Sequence, residues 1–328
     1  MADRIRKINA DTRTTLNILM KDLTGFANIN GMDVSANGTI YCADYDMQVI
    51  YKVYESGLLN GVLCGKIGLS GDVEQSGVQS VQAYVSGTAG PARFHDPISI
   101  CVDASDNIYV GDQTNGKIKR ISSSGRVKWL AGNGAAGDAV NADGHQASFT
   151  GIRGICVDTA GNIYVADMLN HKIKKVLQDG KTVLIAGSVA GFNNGFGSDA
   201  RFCLPRDVCV DLSGNVYVVD SFNNCIRKID GAGNVTILAG GNSGAGTAGF
   251  VNGTGTAARF NNPCRIAMGA NGNFMYVMDM GNYAIRKVET SGTTTTFMHY
   301  RHDNAWSGDI CVDKSGTLYI LEEDNGGL

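Results

Sequence analysis

The chain has 328 residues, including 44 glycines and only 4 prolines, and its formal net charge is −3. Glycine costs roughly 1 kcal/mol at a helical position relative to alanine, so this composition excludes a helical bundle or a coiled coil. A protein that binds nucleic acid through bulk electrostatics needs a basic face, and the net negative charge argues against that class.

One segment recurs along the chain, and its clearest copy reads LPRDVCVDLSGNVYVVDSFNNCIRKIDGAGNVTILAG from residue 204 to 240. Each copy contains short runs of β-branched and aromatic residues that are separated by Asn-Gly or Ser-Gly turns, which is typical of all-β proteins. The pattern predicts four strands for each repeat. The five complete repeats lie near 29–64, 97–132, 151–187, 204–240 and 262–298.

The sixth repeat is divided between the two ends of the sequence. The copy near 305–328 stops before its Ile-Arg-Lys-Ile strand, and residues 5–8 have that sequence. We therefore expect about 1–22 to complete the sheet of 305–328, with strands at 5–8 and 15–19 beside strands at 310–313 and 318–322. Six sheets of four strands predict a β-propeller, and joining the two ends removes the free edges of the array. Residues 1–328 are expected to be a single domain.

The repeated pattern, with Ile-x-Val-Asp, Gly-Asn-Ile-Tyr-Val-Ala-Asp and Ile-Arg-Lys-Ile in the same phase, resembles the NHL repeat. The resemblance covers nearly the whole chain and implies a six-bladed β-propeller. Two copies depart from the pattern, because Ser35 and Gly269 replace the Asp found at positions such as Asp103. The first and fifth blades are therefore expected to be locally irregular.

The cysteines and the first residues indicate a compartment. There are nine cysteines, no Cys-x-x-Cys pair, and an N-terminal stretch without the apolar core of a signal peptide. These features predict buried, reduced thiols and a cytoplasmic protein, or a virion protein if the source is viral. The apolar runs are too short for a membrane span.

The long connections between repeats are expected to lie with the second-to-third strand loops on one face of the propeller. Three of these connections carry Ala-Arg-Phe, and its residues are candidates for contact with a partner, because long loops on a rigid scaffold commonly carry function. A repeated aromatic residue is more often part of the core, and that interpretation is favoured for the phenylalanines. The candidates are Arg93, Phe94, Arg201, Phe202, Arg259 and Phe260.

An aspartate ends the second strand of five repeats. A ring of these carboxylates at a channel mouth could bind a cation, but a group present in every repeat more often stabilises a turn. The turn interpretation is favoured. The five residues are Asp44, Asp112, Asp167, Asp220 and Asp279.

His95, His145 and His171 are weak candidates for a three-histidine zinc site on the loop face. The sequence has no Gly-x-Ser-x-Gly motif and no phosphate-binding loop. No cofactor and no catalytic residue are predicted.

These observations favour a non-catalytic propeller that serves as a rigid protein-interaction or structural module. A virion component, such as part of a phage tail or capsid appendage, is one form of this hypothesis. Two alternatives stay open: a metal-dependent lyase or hydrolase with its site at the channel mouth, and a propeller that binds single-stranded RNA. The expected partners are other proteins, with nucleic acid disfavoured by the charge.

Overall fold

The computed structural model of the protein describes residues 4–9, 11–18, 28–54, 59–65, 92–241, 247–300 and 308–322. These residues form six antiparallel sheets of four or five strands. The first strand of each sheet contacts the first strand of the next sheet around the ring. The fold is therefore the expected six-bladed β-propeller, with the first strands lining a central channel.

We number the blades in chain order and the strands of each blade from the channel outward. Blade 1 consists of Ile29–Val34, Ile40–Asp44, Val49–Val53 and Leu59–Gly65. Blade 2 consists of Pro97–Val102, Ile108–Asp112, Lys117–Ile121 and Val127–Ala131. Blade 3 consists of Ile152–Val157, Ile163–Asp167, Lys172–Val176 and Thr182–Gly187.

The other three blades follow the same plan. Blade 4 consists of Pro205–Val210, Val216–Asp220, Cys225–Ile229 and Asn234–Gly240. Blade 5 consists of Pro263–Met268, Phe274–Asp279, Ala284–Glu289 and Thr293–His299. Blade 6 consists of Ile310–Val312, Leu318–Glu322, Arg4–Ile8 and Thr15–Ile18. Single turns of 3-10 helix occur at Gly144–Gln146, Met168–Asn170, Gly197–Asp199, Ser221–Asn223, Gly255–Ala257 and Met280–Asn282.

The ring closes in blade 6 as the sequence predicts. Arg4–Ile8 pairs antiparallel with Leu318–Glu322, so that Ile5 lies opposite Leu321 and Ile8 opposite Leu318. The predicted strand at 15–19 is observed as Thr15–Ile18, and residue 19 lies outside the described residues.

The hydrophobic core lies between the blades. Each layer combines side chains of two neighbouring sheets, as where Tyr41 and Ile50 of blade 1 pack with Ile100 and Val110 of blade 2. Each blade is therefore buried on both of its faces. All nine cysteines are free thiols.

The long connections follow a different course from the expected one. The connection before blade 4 runs outward and forms a short fifth strand, Gly195–Phe196, against Asn234–Gly240. Gly197 N then donates to Gly233 O at 3.1 Å, in the turn between the third and fourth strands of blade 4. Because blades splay apart with distance from the channel, these segments fill the wedge between neighbouring blades. The connections therefore extend from the loop face to the perimeter, and the one at 66–91 lies outside the described residues.

We call the face with the second-to-third strand loops the loop face, and the face with the first-to-second and third-to-fourth strand turns the turn face. Among the residues that the structure describes, there is no helix with the length and apolar character needed to span a bilayer.

The closure predicts where a core truncation matters in the N-terminal hairpin. Ile5 is fully buried, whereas Leu16 on the neighbouring strand is 62% exposed. Ile5→Ala is expected to lower the free energy of unfolding by about 2–4 kcal/mol, because it leaves a cavity beside Leu321. Leu16→Ala is expected to change it by less than about 0.5 kcal/mol. Urea denaturation measures both, and equal effects would contradict the closure.

Candidate functional site

The aspartate at the end of each second strand is fully buried in blades 1–5. In blade 4, Asp220 accepts hydrogen bonds from Asn223 Nδ2 at 2.8 Å and from Cys203 N at 2.7 Å. It also pairs with Arg227 Nη1 at 3.0 Å. None of the five aspartates lines the channel cavity. Their carboxylates are therefore occupied by the chain itself, as the turn interpretation expects.

Arg227 connects this aspartate to the segment that leads into the blade. Its Nη2 donates to Asn193 O at 2.8 Å and to Asn194 Oδ1 at 2.7 Å. Its guanidinium lies 5.0 Å from the ring centre of Phe192 and 5.4 Å from that of Phe202. A planar guanidinium that stacks between two rings and donates several hydrogen bonds holds the connection firmly against the blade.

The same position differs between blades. Arg286 of blade 5 lies between Phe250 and Phe260, at 4.8 and 5.1 Å. In blade 3 the cation is Lys174, which lies 5.0 Å from the single ring of Phe149. The larger cation thus occurs where the connection supplies a second aromatic ring.

The predicted Ala-Arg-Phe candidates separate by burial. They are Arg93, Phe94, Arg201, Phe202, Arg259 and Phe260. All three phenylalanines are fully buried, so they are not available to a partner. Arg201 is exposed, and the other two arginines are partly exposed. Contact with a partner through this motif would therefore depend on its arginines.

The three candidate histidines have local partners instead of a common ligand. His145 stacks on Trp129 with ring centres 4.2 Å apart. His171 Nδ1 accepts a hydrogen bond from Leu204 N at 3.1 Å. His95 contributes its backbone N–H to Asp112 at 2.7 Å. Within the described ranges, no three His, Cys, Asp or Glu side chains lie close enough together to hold a metal ion.

The central channel contains a cavity of about 300 Å³ that reaches from the first strands to the first-to-second turns, where Ala36, Ala104 and Lys314 line it. Its loop-face end is crossed by Arg265 of blade 5. The guanidinium donates to Asn30 O at 2.7 Å, Arg153 O at 3.3 Å and Gly308 O at 3.3 Å. Since these carbonyls belong to blades 1, 3 and 6, the side chain bridges the channel and closes it from the loop face.

Carboxylates satisfy the inner edges of the first strands. Asp33 accepts from Val34 N and, in the next blade, from Val102 N, both at 2.8 Å. Asp207 accepts from Val208 N at 2.9 Å and from Ile266 N, also in the next blade, at 3.0 Å. An inner edge has no partner strand, so its N–H groups need other acceptors.

Burial has a large effect on these acids. It raises the pKa of Asp33 to about 7 and the pKa of Asp207 to about 7. Burial also raises the pKa of Asp309, the third acid of the channel. Asp309 lies 3.4 Å from Arg265 Nε.

Four cysteines occupy the position of Asp33 in the other first strands. They are Cys101, Cys156, Cys209 and Cys311. Burial raises the pKa of each thiol well above its ordinary value. A raised pKa disfavours the thiolate, which is the nucleophilic form, so these four thiols are poor candidates for a catalytic nucleophile.

Two arginines that the sequence interpretation missed lie at the loop-face end of the channel. Arg153 and Arg206 are the second residues of the first strands of blades 3 and 4, and both are partly exposed. The signal for them is a break in the repeat, because the same position holds Asn30, Ile98 and Cys264 in other blades.

The loops next to these arginines present apolar side chains. Leu169 and Phe222, at the same position in the second-to-third loops of blades 3 and 4, are 51% and 54% exposed. A Cβ built on Gly151, two residues before Arg153, would lie 2.9 Å from Leu169 Cγ. The second-to-third loop of blade 3 therefore packs against the segment that leads to Arg153.

Comparison with known proteins supports the repeat. The family model described as "NHL repeat" matches residues 202–229. NHL repeat-containing protein 2 of Bos taurus is 27% identical over 318 residues, which cover 89% of this chain and 43% of that protein. The chain thus spans about two fifths of the length of this relative.

Two solved structures share the fold. One is a nidogen/laminin complex, with 14% identity and a TM-score of 0.59, covering 92% of this chain and 94% of that one. The other is a streptogramin B lyase, with 12% identity and a TM-score of 0.54, covering 98% and 99%. At these identities the similarity concerns the fold alone.

The contacts of Arg227 predict a cost for a conservative replacement. Arg227→Lys is expected to lower the free energy of unfolding by about 1–3 kcal/mol, because an ammonium that pairs with Asp220 loses the hydrogen bonds that Nη2 donates to Asn193 O and Asn194 Oδ1. Lys228→Arg, at the next and partly exposed position, is the matched control, with an expected change below about 0.5 kcal/mol. Equal losses on urea denaturation would contradict the role of Arg227.

The channel acids predict a pH dependence of stability. Since the pKa of Asp33 and of Asp207 is about 7 in the folded protein and about 3.9 in an unfolded chain, the folded state retains these protons longer. Their contribution to the free energy of unfolding is complete below about pH 4 and decreases as the pH rises to about 7. Asp33→Ala, which gives blade 1 the residue that blade 5 has at Ala267, is expected to reduce this slope.

The matched control is Cys311→Ala, at the same position in blade 6. It removes a thiol group and no carboxyl group. It is expected to leave the slope unchanged. Denaturation curves from pH 4 to pH 8 measure the slopes, and an unaltered slope in Asp33→Ala would count against the buried carboxyl.

Proposed function

The chain belongs to the NHL-repeat β-propeller family, and on that premise we propose that it is a non-catalytic module that binds other proteins on a rigid ring. The observation that carries the proposal is the exposed apolar surface of the loop face. Leu169 and Phe222 project from equivalent loops of adjacent blades, and Tyr283 of blade 5 is also exposed. Exposed apolar side chains at equivalent positions of adjacent blades are the surface that we assign to the partner.

The rest of the ring favours binding over chemistry. Burial raises the pKa of the channel thiols, the predicted histidines have separate partners, and Arg265 bridges the channel on the loop face. A lyase or hydrolase would require a nucleophile, an acid–base pair or a metal beside a substrate cavity. The likeness to the streptogramin B lyase concerns the fold, and no convergent group of the described residues supports that activity here.

The finer form of the proposal is membership in a large assembly, and the composition favours a virion appendage made in a reducing cytoplasm. Co-purification with assembled particles is the test of that form. Binding of single-stranded RNA is disfavoured by the net charge of −3.

The proposal predicts that the loop face, and not the turn face, holds the partner. The double variant Leu169→Ser, Phe222→Ser is expected to lose at least about nine tenths of the cross-linked partner, since exposed anchors dominate binding energy. Leu212→Ser, at a side chain that is 75% exposed on the turn face, is the matched control and should retain the partner.

Quantitative mass spectrometry of cross-linked lysates measures this difference, and thermal melting verifies that both variants fold. The proposal fails if the double variant retains its partner, or if the turn-face control loses it equally.

A further inference from the structure

Arg153 and Arg206 lie side by side in the ring. They occupy the same position in the first strands of blades 3 and 4, and these strands are neighbours along the channel. Arg265, from the first strand of blade 5, donates to the carbonyl of Arg153 at 3.3 Å. Three guanidinium-bearing residues therefore come from three consecutive blades to the loop-face end of the channel.

The three arginine side chains differ in their hydrogen-bond and ion-pair partners. Arg265 is bonded to three carbonyls and lies 3.4 Å from Asp309. In contrast, the side chains of Arg153 and Arg206 have no hydrogen-bond or ion-pair partner in the part of the chain that the structure describes. Arg265 is thus fully bonded within the fold, whereas the guanidinium groups of Arg153 and Arg206 remain available to a ligand.

The environment disfavours both open charges. Burial, followed by repulsion from Arg265 and Arg206, lowers the pKa of Arg153 to about 10. Burial also lowers the pKa of Arg206, with a further contribution from Arg265. The buried Asp207 acts on the pKa of Arg153 in the opposite direction, but among the described residues it forms no ion pair with either arginine. Two partly desolvated cations without a paired acid are typical of a site that an anion completes.

The flanks of the pair limit what the anion can be attached to. Leu169 and Phe222 lie on the second-to-third loops of the same two blades. Their backbone N–H groups donate to Thr150 O at 3.1 Å and to Cys203 O at 3.2 Å, three residues before Arg153 and Arg206. Asp96, across the loop face, is already engaged by Gln48 Nε2 at 3.0 Å and by Thr114 Oγ1. The positively charged surface is thus limited to two blades, and apolar side chains lie on the loops of the same blades. Such a surface fits a single anionic group with apolar neighbours better than it fits the successive phosphates of a nucleic acid.

We propose that Arg153 and Arg206 bind a carboxylate of the partner protein, while Leu169 and Phe222 contact apolar side chains next to it. This inference rests on the proposed binding function and names the chemistry of the partner: an acidic segment with neighbouring apolar residues. Guanidinium groups suit carboxylates because they offer paired N–H donors in one plane.

The probe is the peptide acetyl-Leu-Asp-Glu-Phe-amide, compared with acetyl-Leu-Asn-Gln-Phe-amide, which has the same shape without charge. Calorimetric titration of the whole chain is expected to show binding of the acidic peptide only. Arg153→Asn and Arg206→Asn, which introduce the residue of blade 1 at this position, are each expected to weaken binding by about tenfold or more. Arg126→Asn, at an exposed arginine in the third-to-fourth turn of blade 2 on the turn face, is the matched control and should bind as the unmodified chain does.

Thermal melting supplies a second readout. Because the two charges are unpaired, each Asn variant is expected to melt at the same temperature as the unmodified protein or higher, and the acidic peptide should raise the melting temperature of the unmodified protein only. A lower melting temperature in the variants would show that the arginines serve the fold, and would overturn the inference.

Three further outcomes also overturn it: equal binding of the neutral peptide, peptide binding that survives both Asn variants, and tighter binding of inorganic phosphate or a ten-nucleotide uridine RNA than of the acidic peptide. The proposed function is tested separately. If the Leu169→Ser, Phe222→Ser variant loses the cellular partner while both arginine variants keep it, the loop face is the interface but the carboxylate assignment is wrong.

Discussion

A buried aspartate at the end of the second strand determines how the chain enters blades 2–5. Asp220 accepts the backbone N–H of Cys203, which lies just before the first strand of the same blade, and pairs with a cation of its own third strand. A buried charge of this kind is stable only when every oxygen has a partner. The repeated Asp, Asn and Lys or Arg residues thus form a single hydrogen-bonded unit, and their role is to stabilise the fold. What remains for function must come from positions that are not repeated.

Much of the fold could be predicted because the repeat encodes local chemistry. In blade 4 the turn after the first strand is held by Asp211, which accepts from Asn215 N at 2.8 Å and from Tyr217 Oη at 3.0 Å. Those residues are within six positions of one another, so the turn can be predicted from a single repeat. The closure of blade 6 could also be predicted, because residues 5–8 have the sequence of a strand that the final repeat lacks.

The loop-face site could not be predicted in the same way. Arg265 meets carbonyls of Asn30, Arg153 and Gly308, which are 235, 112 and 43 positions away along the chain. Only the ring geometry brings them together. The outward course of the connections was also hidden, since it follows from the wedge between splayed blades and not from any local motif. The available signal was that the second residue of the first strand differs from blade to blade. That difference indicates a site only when the position of this residue in the ring is known.

Closure of blade 6 also has a bearing on the order of assembly. Ile5 cannot meet Leu321 until more than 300 intervening residues have been synthesised, and contacts between such distant segments form slowly. A two-stranded hairpin such as the one at Arg4–Ile8 and Thr15–Ile18 is at best marginally stable by itself. During translation, the amino-terminal hairpin therefore stays an unpaired sheet edge until Leu318–Glu322 has been made.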